Sequence, residues 1–252
     1  MNNENIYYLF LLIMLIIGFI VFILLHYITV GYGMFQNNKW GLTINNKIGW
    51  CVMEIVSMIG IIIFYIYSSM NEIIPMISLI LFIIHYFRRS IIFPLRISKG
   101  GKMPIIIMLM GMLFNLCNCY AQAGWLFFYH PPYYYLRWFN TPQCYFGLLF
   151  FFIGMVINIH SDEIIRSLRK EGETEHKLPQ GGLFNYVTSA QYFGELVEWL
   201  GFSIFTLSPG AILFFFWTFA NLTPRARSIH LAYRKKFKNQ VGKRKILIPF
   251  IY

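Results

Sequence analysis

Charged side chains are scarce in this 252-residue chain: they make up 12% of it, and only 10 residues are acidic. Soluble domains carry about 25% charged residues, so this shortage excludes an ordinary soluble domain. Hydrophobic residues account for 58% of the chain. They form continuous runs rather than an alternating pattern, which favours membrane helices over a β-barrel. The composition therefore predicts an all-α, polytopic membrane protein with residues 1–252 in a single membrane-embedded domain.

Recognisable metal and nucleotide motifs are also missing from the sequence. The cysteines form no CxxC pair, and no histidine lies at ligand spacing from any two of them: Cys51, Cys117, Cys119 and Cys144. We therefore expect buried thiols, no metal site and no obligatory disulfide. No GxGxxG, GxxxxGK[ST], HExxH or GxSxG motif occurs. This excludes a Rossmann domain, so a bound nucleotide would have to be held by the membrane helices. We expect no nucleic-acid partner.

Apolar runs that suit a bilayer recur along the chain, where a span needs about 20 residues. The last two share one apolar stretch that is interrupted by the sequence LSPG at 207–210, which predicts a tight helical hairpin. The first run is too long for a signal peptide and lacks a basic n-region, so we expect it to be retained. We predict seven transmembrane helices over residues 6–30, 48–67, 73–87, 104–129, 144–160, 195–207 and 209–223.

The distribution of positive charge predicts the orientation of these helices. With seven spans, all but one of the 21 Lys and Arg residues fall on the same side, and Arg137 is the exception. Basic loops stay cytoplasmic, whereas six or eight spans would scatter the charge over both sides. We therefore predict a cytosolic C-terminus. The net charge of +11 becomes a cytoplasmic basic face that contacts anionic lipid.

Some polar residues in the apolar runs need a separate explanation. Glu54 lies inside the second span, where a carboxylate costs roughly 2.5–3.5 kcal/mol. Arg88 and Arg89 end the third span and are interpreted as anchors that extend toward the membrane surface. Asn115 and Asn118 in the fourth span are interpreted as contacts between helices.

Two further polar stretches follow the fifth span. Residues 158–169 read NIHSDEIIRSLR, and as a helix they place Asn158 and Asp162 on one face. Residues 178–199 then bring two carboxylates to the start of the sixth span. Such an arrangement indicates either a structural network of ion pairs or a ligand cavity.

The combination of these stretches resembles the steroid 5α-reductases, the 3-oxo-5α-steroid 4-dehydrogenase family. The resemblance is carried by NIHSD, LRK, PQGGLF, GELVEWLG and IPFIY, and by the earlier GYG, W...E and HYF.R. It runs from about residue 31 to the C-terminus and is densest over 154–201. It implies a seven-helix membrane enzyme that uses NADPH to reduce the Δ4 double bond of a 3-oxo-Δ4-steroid. Hydride would reach the β-carbon of the enone and yield the 5α-dihydro product.

The same resemblance implies roles for individual residues in the substrate pocket. Glu54 and Tyr86 are expected to be catalytic. A carboxylic acid and a phenol that donate hydrogen bonds to the ketone oxygen would stabilise the negative charge that builds there. Trp50 and Phe114 are expected to line the steroid pocket, which would lie mainly within residues 1–130.

Residues 144–252 are expected to bind most of the NADPH. The residues that the resemblance places in the cofactor site are Asn158, His160, Ser161, Asp162, Arg166, Arg169, Gln191, Glu195 and Tyr233. Arginine suits phosphate because its planar fork is always charged and binds in a bidentate manner. The sequence departs from the family at Gln191, where asparagine is usual, and at Met110 and Ile229, where animal members carry arginine and histidine.

Three alternatives remain open from the residues. The chain is also compatible with a related membrane enoyl or sterol reductase that acts on another enone lipid. An isoprenylcysteine methyltransferase would share a similar C-terminal half and use S-adenosylmethionine, but Glu54 and Tyr86 argue against it. A non-enzymatic lipid transporter would usually show inverted repeats, and none is found. We expect a monomer in a bacterial inner membrane or the endoplasmic reticulum, with membrane lipid and a steroid or other enone as partners.

Overall fold

The computed structural model describes residues 2–97, 101–168 and 176–252. Two short strands, β1 (Thr43–Asn45) and β2 (Lys102–Pro104), accompany a chain that is otherwise mostly helical. The α-helices in these ranges are α1 (Asn3–Tyr27), α2 (Asn46–Tyr67), α3 (Ile73–Phe87), α4 (Phe93–Arg96), α5 (Ile105–Ala123), α6 (Pro142–Ser167), α7 (Ala190–Thr206) and α8 (Pro209–Phe237).

Five helical segments among the described residues are long and apolar enough to cross a membrane, and they match the first five predicted spans. Many of their apolar side chains face outward: on α1, Ile16, Ile20 and Ile23 are each more than half exposed. In a bilayer such side chains contact lipid rather than water. The prediction of an all-α, multi-pass membrane protein is therefore confirmed. The five segments are Asn3–Tyr27, Asn46–Tyr67, Ile73–Arg96, Ile105–Tyr129 and Pro142–Ser167.

The two remaining predicted spans form α7 and α8, joined by the tight turn that the LSPG sequence predicts. Leu207 adopts a left-handed conformation with φ of 44°, and the Ser208 hydroxyl accepts a hydrogen bond from the backbone N–H of Ala211 at 3.3 Å. Pro209 occupies the first helical turn, where its missing N–H removes no hydrogen bond. Helix α7 has 17 residues, about 25 Å at 1.5 Å per residue, which is shorter than the other spans. The count of seven spans stays a prediction.

Helices α3 and α8, which correspond to the third and seventh predicted spans, extend beyond their predicted ends. Helix α3 continues from Phe87 through a π-helical turn, Arg88–Ile92, into α4, and π-turns inside helices are frequent at functional sites. Helix α8 was expected to end at residue 223 but reaches Phe237. Its second half is basic rather than apolar, so the hydropathy pattern that defines a span does not show it.

Glycines bring α6 and α7 into backbone contact. A Cβ atom at Gly154 would lie 2.1 Å from the backbone nitrogen of Glu198, and one at Gly201 would lie 2.2 Å from that of Phe151. Small residues at a helix interface allow this close approach in membranes. The contact sets the polar residues at the end of α6 directly beside those at the start of α7.

Loops and the C-terminal tail cover the end of the bundle at which α3 and α6 finish. Strand β1 pairs antiparallel with β2, with Ile44 opposite Met103. The tail forms a parallel bridge between Val187 and Lys245, and the fully buried Leu247 packs against α7 and α8. We call this end of the bundle, where α3 and α6 finish and α2 and α7 begin, the basic end because Arg88, Arg96 and Arg166 lie there.

Candidate active site

A buried carboxyl group lies between α2 and α5. Glu54 is 9% exposed, and its Oε2 atom accepts a hydrogen bond from Asn115 Nδ2 at 3.2 Å. The same Nδ2 atom donates to the carbonyl oxygen of Met53 at 2.8 Å. Asn115, interpreted from the sequence as a contact between helices, therefore also orients the Glu54 carboxyl group.

A buried phenol is the second acid of this region. The Tyr86 hydroxyl accepts a hydrogen bond from Asn118 Nδ2 at 3.3 Å, and its ring packs between Phe82 and Trp199. Glu54 is among the groups that interact electrostatically with the Tyr86 hydroxyl. The structure thus brings together the two residues that the resemblance assigned to catalysis.

A histidine–carboxylate pair lies beside Tyr86. His85 Nδ1 is 2.7 Å from Glu198 Oε1, and both side chains are almost completely buried. The His85 ring also packs on Trp199, with 4.5 Å between ring centroids. Helix packing places α3 and its histidine against the middle of α7, so the partner of Glu198 comes from another span.

Arg88 connects α3 to the polar end of α6. Its guanidinium donates to the Asn158 side-chain oxygen and to Asp162 Oδ2 at 3.3 Å. Asn158 Nδ2 in turn donates to the backbone oxygen of Gln191 at 2.8 Å. Two buried polar atoms of this group have no hydrogen-bond partner within the described chain, Arg88 Nε and Gln191 Oε1. Buried polar atoms are normally satisfied, so these two atoms fit a polar ligand.

Arg89 lies between the carboxyl group of Glu54 and the polar residues at the start of α7. Its guanidinium covers the rings of Trp50 and Phe93 at 4.6 and 4.8 Å and lies 3.9 Å from Glu195. Glu54 also interacts with it electrostatically. The interpretation of Arg88 and Arg89 as membrane-surface anchors was therefore wrong: the π-helical turn directs both side chains into the protein, where they are 12% and 13% exposed.

A third arginine, Arg225 of α8, lies close enough to Arg89 for the two charges to interact. Its Nε atom donates to the Tyr192 hydroxyl at 2.7 Å, and its guanidinium lies 3.7 Å from the ring centroid of Tyr32. Burial raises the pKa of the Tyr32 phenol above its ordinary value, although the Arg225 charge opposes this shift. Tyr32 belongs to the GYG sequence, so this tripeptide does more than end the first helix.

The remaining predicted residues are not all in this group. Ser161 is buried, whereas His160 is exposed and lies against Gly182. Arg166 is exposed and pairs with Glu163. Tyr233 packs in a separate cluster with Leu178, Ile229 and Val241. Phe114 contacts the Trp217 ring at 4.8 Å. Arg169 lies outside the described residues.

Sequence reasoning missed several residues of the site. Arg88, Arg89, Arg225, Tyr192 and His85 had no predicted functional role, although each contacts a predicted site residue or its neighbour. An arginine beside aromatic residues at a helix end is also the pattern of a membrane anchor, so the sequence contained no signal that separates the two. Among the described residues, no group of three His, Cys, Asp or Glu side chains could hold a metal ion.

The fold and this buried group of acids, amides and arginines define a multi-pass helical membrane protein with an enclosed polar site. The family model described as 3-oxo-5-alpha-steroid 4-dehydrogenase matches residues 101–252. The chain therefore belongs to the 3-oxo-5-alpha-steroid 4-dehydrogenase family of oxidoreductases, and the resemblance seen in its motifs is confirmed.

Individual relatives cover nearly the whole chain. Steroid 5-alpha-reductase DET2 of Arabidopsis thaliana is 38% identical over 91% of this chain and 90% of its own length. The protein of the same name from Gossypium hirsutum is 35% identical over 100% and 99%. The 3-oxo-5-alpha-steroid 4-dehydrogenase 1 of Rattus norvegicus is 37% identical over 87% and 85%.

Proposed function

We propose that this protein is an NADPH-dependent 3-oxo-5α-steroid 4-dehydrogenase. It reduces the Δ4 carbon–carbon double bond of a 3-oxo-Δ4-steroid, and the product is the 5α-dihydro steroid. The single observation that carries the proposal is the burial of Glu54 and Tyr86 in one region, each held by an asparagine of α5. Membership of the family and the names of the relatives support the substrate class.

Glu54 and Tyr86 act on the carbonyl oxygen of the substrate. Reduction of an enone builds negative charge on this oxygen, and donors in a site without water stabilise that charge strongly. Asn115 occupies one carboxyl oxygen of Glu54, which leaves the other oxygen to carry the proton of the acid form and donate it in a hydrogen bond. Tyr86 accepts from Asn118, so its own O–H is available for the ketone. Trp50 and Phe114 line the apolar steroid pocket.

Arginines and amides at the basic end hold the cofactor. When bound, NADPH supplies the hydride that reaches the β-carbon of the enone. Arg88, Arg89 and Arg225 contribute three partly buried cations, and guanidinium groups bind phosphates in a bidentate manner. The unpartnered atoms Arg88 Nε and Gln191 Oε1 supply a donor and an acceptor to a polar ligand.

The other predicted cofactor residues fall into two groups. Asn158, Asp162 and Glu195 position the arginines through the contacts described above. Six residues complete the predicted contact set: His160, Ser161, Arg166, Arg169, Gln191 and Tyr233.

We also propose the seven-span topology with a cytosolic C-terminus. Helices α7 and α8 form the predicted hairpin, and the basic residues collect at the end of the bundle where the cofactor would enter. Residues 1–130 supply most of the steroid pocket and residues 144–252 most of the cofactor site. Arg88 and Arg89 depart from this division because they come from the first half, whereas Arg225 fits it. The protein acts as a monomer in this proposal.

A turnover assay tests the proposed function. Detergent-purified protein is mixed with NADPH and testosterone or progesterone, and the loss of nicotinamide absorbance is followed together with the stereochemistry of the product. We expect formation of the 5α-dihydro steroid. NADPH, but not S-adenosylmethionine, should raise the melting temperature.

Two outcomes would contradict the proposal. Reduction of other enone lipids without reduction of any 3-oxo-Δ4-steroid would instead identify a related membrane enoyl or sterol reductase. Absence of turnover with all enones, together with no effect of NADPH on the melting temperature, would favour a lipid transporter.

A further inference from the structure

A chain of three side-chain hydrogen bonds runs from Tyr86 to the turn between α7 and α8. Gln122 Nε2 donates to the backbone oxygen of Gly210 at 3.1 Å and to Asn118 Oδ1, also at 3.1 Å. Asn118 Nδ2 then donates to the Tyr86 hydroxyl at 3.3 Å. All three side chains are at most 3% exposed, so water does not replace these partners.

The Gly210 carbonyl group fixes the direction of every hydrogen bond in this series. The oxygen and nitrogen of a side-chain amide are alike in shape, and only their partners distinguish them. A backbone carbonyl oxygen can only accept, so Gln122 must present its nitrogen to Gly210. The same nitrogen faces Asn118, which must therefore present its oxygen to Gln122 and its nitrogen to Tyr86. The Tyr86 hydroxyl oxygen is thus fixed as an acceptor.

Close packing keeps the Gly210 carbonyl within reach of Gln122. A Cβ atom at Gly210 would lie 2.0 Å from the backbone oxygen of Ala121, so only glycine lets the start of α8 contact α5 so closely. The opposite amide orientation of Gln122 would direct its Oε1 atom at the Gly210 oxygen and create repulsion between two acceptors. Gln122 Oε1 has no partner in the described chain, so no competing donor favours that orientation.

We propose that Asn118 and Gln122 are positioning residues that set the direction in which Tyr86 donates its hydrogen bond. This inference rests on the proposed function. Because Asn118 donates to the Tyr86 oxygen, the phenolic hydrogen is directed away from α5 and toward the substrate ketone. A donor to the phenol oxygen also stabilises the negative charge that this oxygen gains as its hydrogen bond to the ketone strengthens. Gln122 acts without touching substrate, by preventing rotation of the Asn118 amide.

Two substitutions of Gln122 test the proposal because they separate polarity from packing. Gln122→Glu keeps the shape and a polar end group. Whether the new carboxyl is ionised or donates its proton to Gly210, it accepts from the Asn118 nitrogen. Asn118 then rotates, and its oxygen captures the Tyr86 hydrogen. Gln122→Met keeps the length of the side chain, but its thioether sulfur accepts hydrogen bonds only weakly. It therefore does not force the Asn118 amide to rotate.

We expect Gln122→Glu to lower kcat at least about tenfold, as loss of a donor to the oxyanion does. Gln122→Met should lower kcat less than about threefold, because one neutral hydrogen bond contributes little. The KM for NADPH should stay unchanged in both variants. If the role of Gln122 were purely structural, Gln122→Glu would have the higher kcat of the two variants, since glutamate would be the better replacement for a polar side chain. Equal kcat values in the two variants, or a lower kcat in Gln122→Met, would overturn the proposal.

A spectroscopic measurement tests the proposal without relying on turnover. The carbon–oxygen stretching frequency of a tyrosine depends on whether its hydroxyl accepts a hydrogen bond or only donates one. With isotope-labelled tyrosine, the infrared difference between the unmodified protein and Tyr86→Phe isolates the Tyr86 band. We expect the signature of an accepting hydroxyl in the unmodified protein and of a purely donating one in Gln122→Glu. A purely donating Tyr86 in the unmodified protein would refute the proposal, whatever substrate the enzyme reduces.

Discussion

At the scale of single residues, the buried acids and arginines of this protein obtain their properties from partners on other helices. Glu54 and Tyr86 lie on α2 and α3, yet both are held by asparagines of α5. Arg88 lies on the turn after α3 but bonds to two residues of α6. Isolated in hydrocarbon, each of these groups would be costly, whereas partners on neighbouring helices reduce this cost.

The first prediction concerns the two acids. We expect Glu54→Gln and Tyr86→Phe each to lower kcat at least about tenfold, because each removes a donor to the developing negative charge on the ketone. The rise in melting temperature on addition of NADPH should persist, since the hydrogen bonds of both residues go to asparagines of α5 and not to residues predicted to bind the cofactor. Unchanged turnover in both variants would show that the ketone is bound elsewhere.

The second prediction concerns Arg88. Arg88→Ala should raise the Kd for NADPH about tenfold or more, because one charge-assisted hydrogen bond contributes about 1.5–3 kcal/mol. Titration of protein fluorescence with NADPH measures this. Arg96→Ala is the matched control, because Arg96 lies on the same helical rod but is half exposed and pairs with Glu163. Equal weakening in both variants would indicate a general effect of positive charge rather than the buried site.

At the scale of helices, the contact between α6 and α7 decides where the residues predicted to bind the cofactor meet. Its glycines recur at intervals of seven residues, Gly147 and Gly154 on α6 facing Gly201 and Gly194 on α7. Because Gly194 has no side chain, the Asn158 backbone can approach it closely. The Asn158 side chain then reaches the backbone oxygen of Gln191. The alignment of polar groups is thus a consequence of residues that have no side chain.

The third prediction tests this contact. Gly154→Val should destabilise the protein by about 3 kcal/mol, because the added atoms would overlap the Glu198 backbone and helices that cannot approach lose their packing. The melting temperature in detergent measures the effect. Val156→Ala on the same helix serves as the control, since Val156 is 64% exposed and we expect little change. A stable Gly154→Val protein would show that the two helices do not touch there.

The fourth prediction concerns the attachment of the C-terminal tail to α8. Arg234 Nε donates to His230 Nε2 at 3.0 Å, so His230 is neutral and can donate from Nδ1 to the Thr188 hydroxyl at 3.1 Å. Thr188 in turn bonds the tail carbonyl of Ile246. Burial, aided by the Arg234 charge, lowers the pKa of His230. The neutral form is therefore part of the folded arrangement.

Acid should weaken this attachment. The unfolded chain, with an ordinary histidine pKa near 6.5, binds a proton more readily than the folded protein, so stability is present above about pH 6.5 and is lost as the pH falls below it. His230→Gln should show a smaller drop in melting temperature between about pH 7.5 and 5.5 than the unmodified protein, because the residue no longer titrates. His160→Gln, at an exposed histidine, should behave like the unmodified protein. An identical drop in all three would exclude His230 as the titrating group.

At the scale of the whole molecule, the fifth prediction concerns topology. The loop before α6 and the C-terminal tail are separated by three helices, α6, α7 and α8, so they should lie on opposite sides of the membrane. Asn140→Cys and Lys243→Cys can be labelled with a membrane-impermeant maleimide in oriented vesicles. We expect labelling of the tail from the cytosolic side and of the loop from the other side, in agreement with the distribution of basic residues. Labelling of both from one side would mean that α7 and α8 do not both cross.

The class of fold and the position of most helices could be predicted from the chain because they depend on transfer of long apolar runs into lipid. The ends of helices were less accessible to prediction. Helix α3 continues past residue 87 because a π-helical turn accommodates two arginines, and α8 continues past residue 223 because packing against the tail stabilises its basic half. Neither effect changes the hydropathy pattern from which the helix ends were predicted.

Family membership could be recognised in the sequence, because short runs such as NIHSD and PQGGLF keep several chemical groups at fixed intervals. The runs W...E and HYF.R likewise led to the prediction that Glu54 and Tyr86 are catalytic. The network around them was not visible. That Glu198 pairs with His85, that Arg88 turns inward to Asp162, and that Gln122 sets the polarity of the bonds to Tyr86 depend on distances between helices far apart in the chain. Hydropathy and local motifs act over a few residues, whereas a buried hydrogen bond requires two groups brought within about 3 Å, and only the packing of the helices does this.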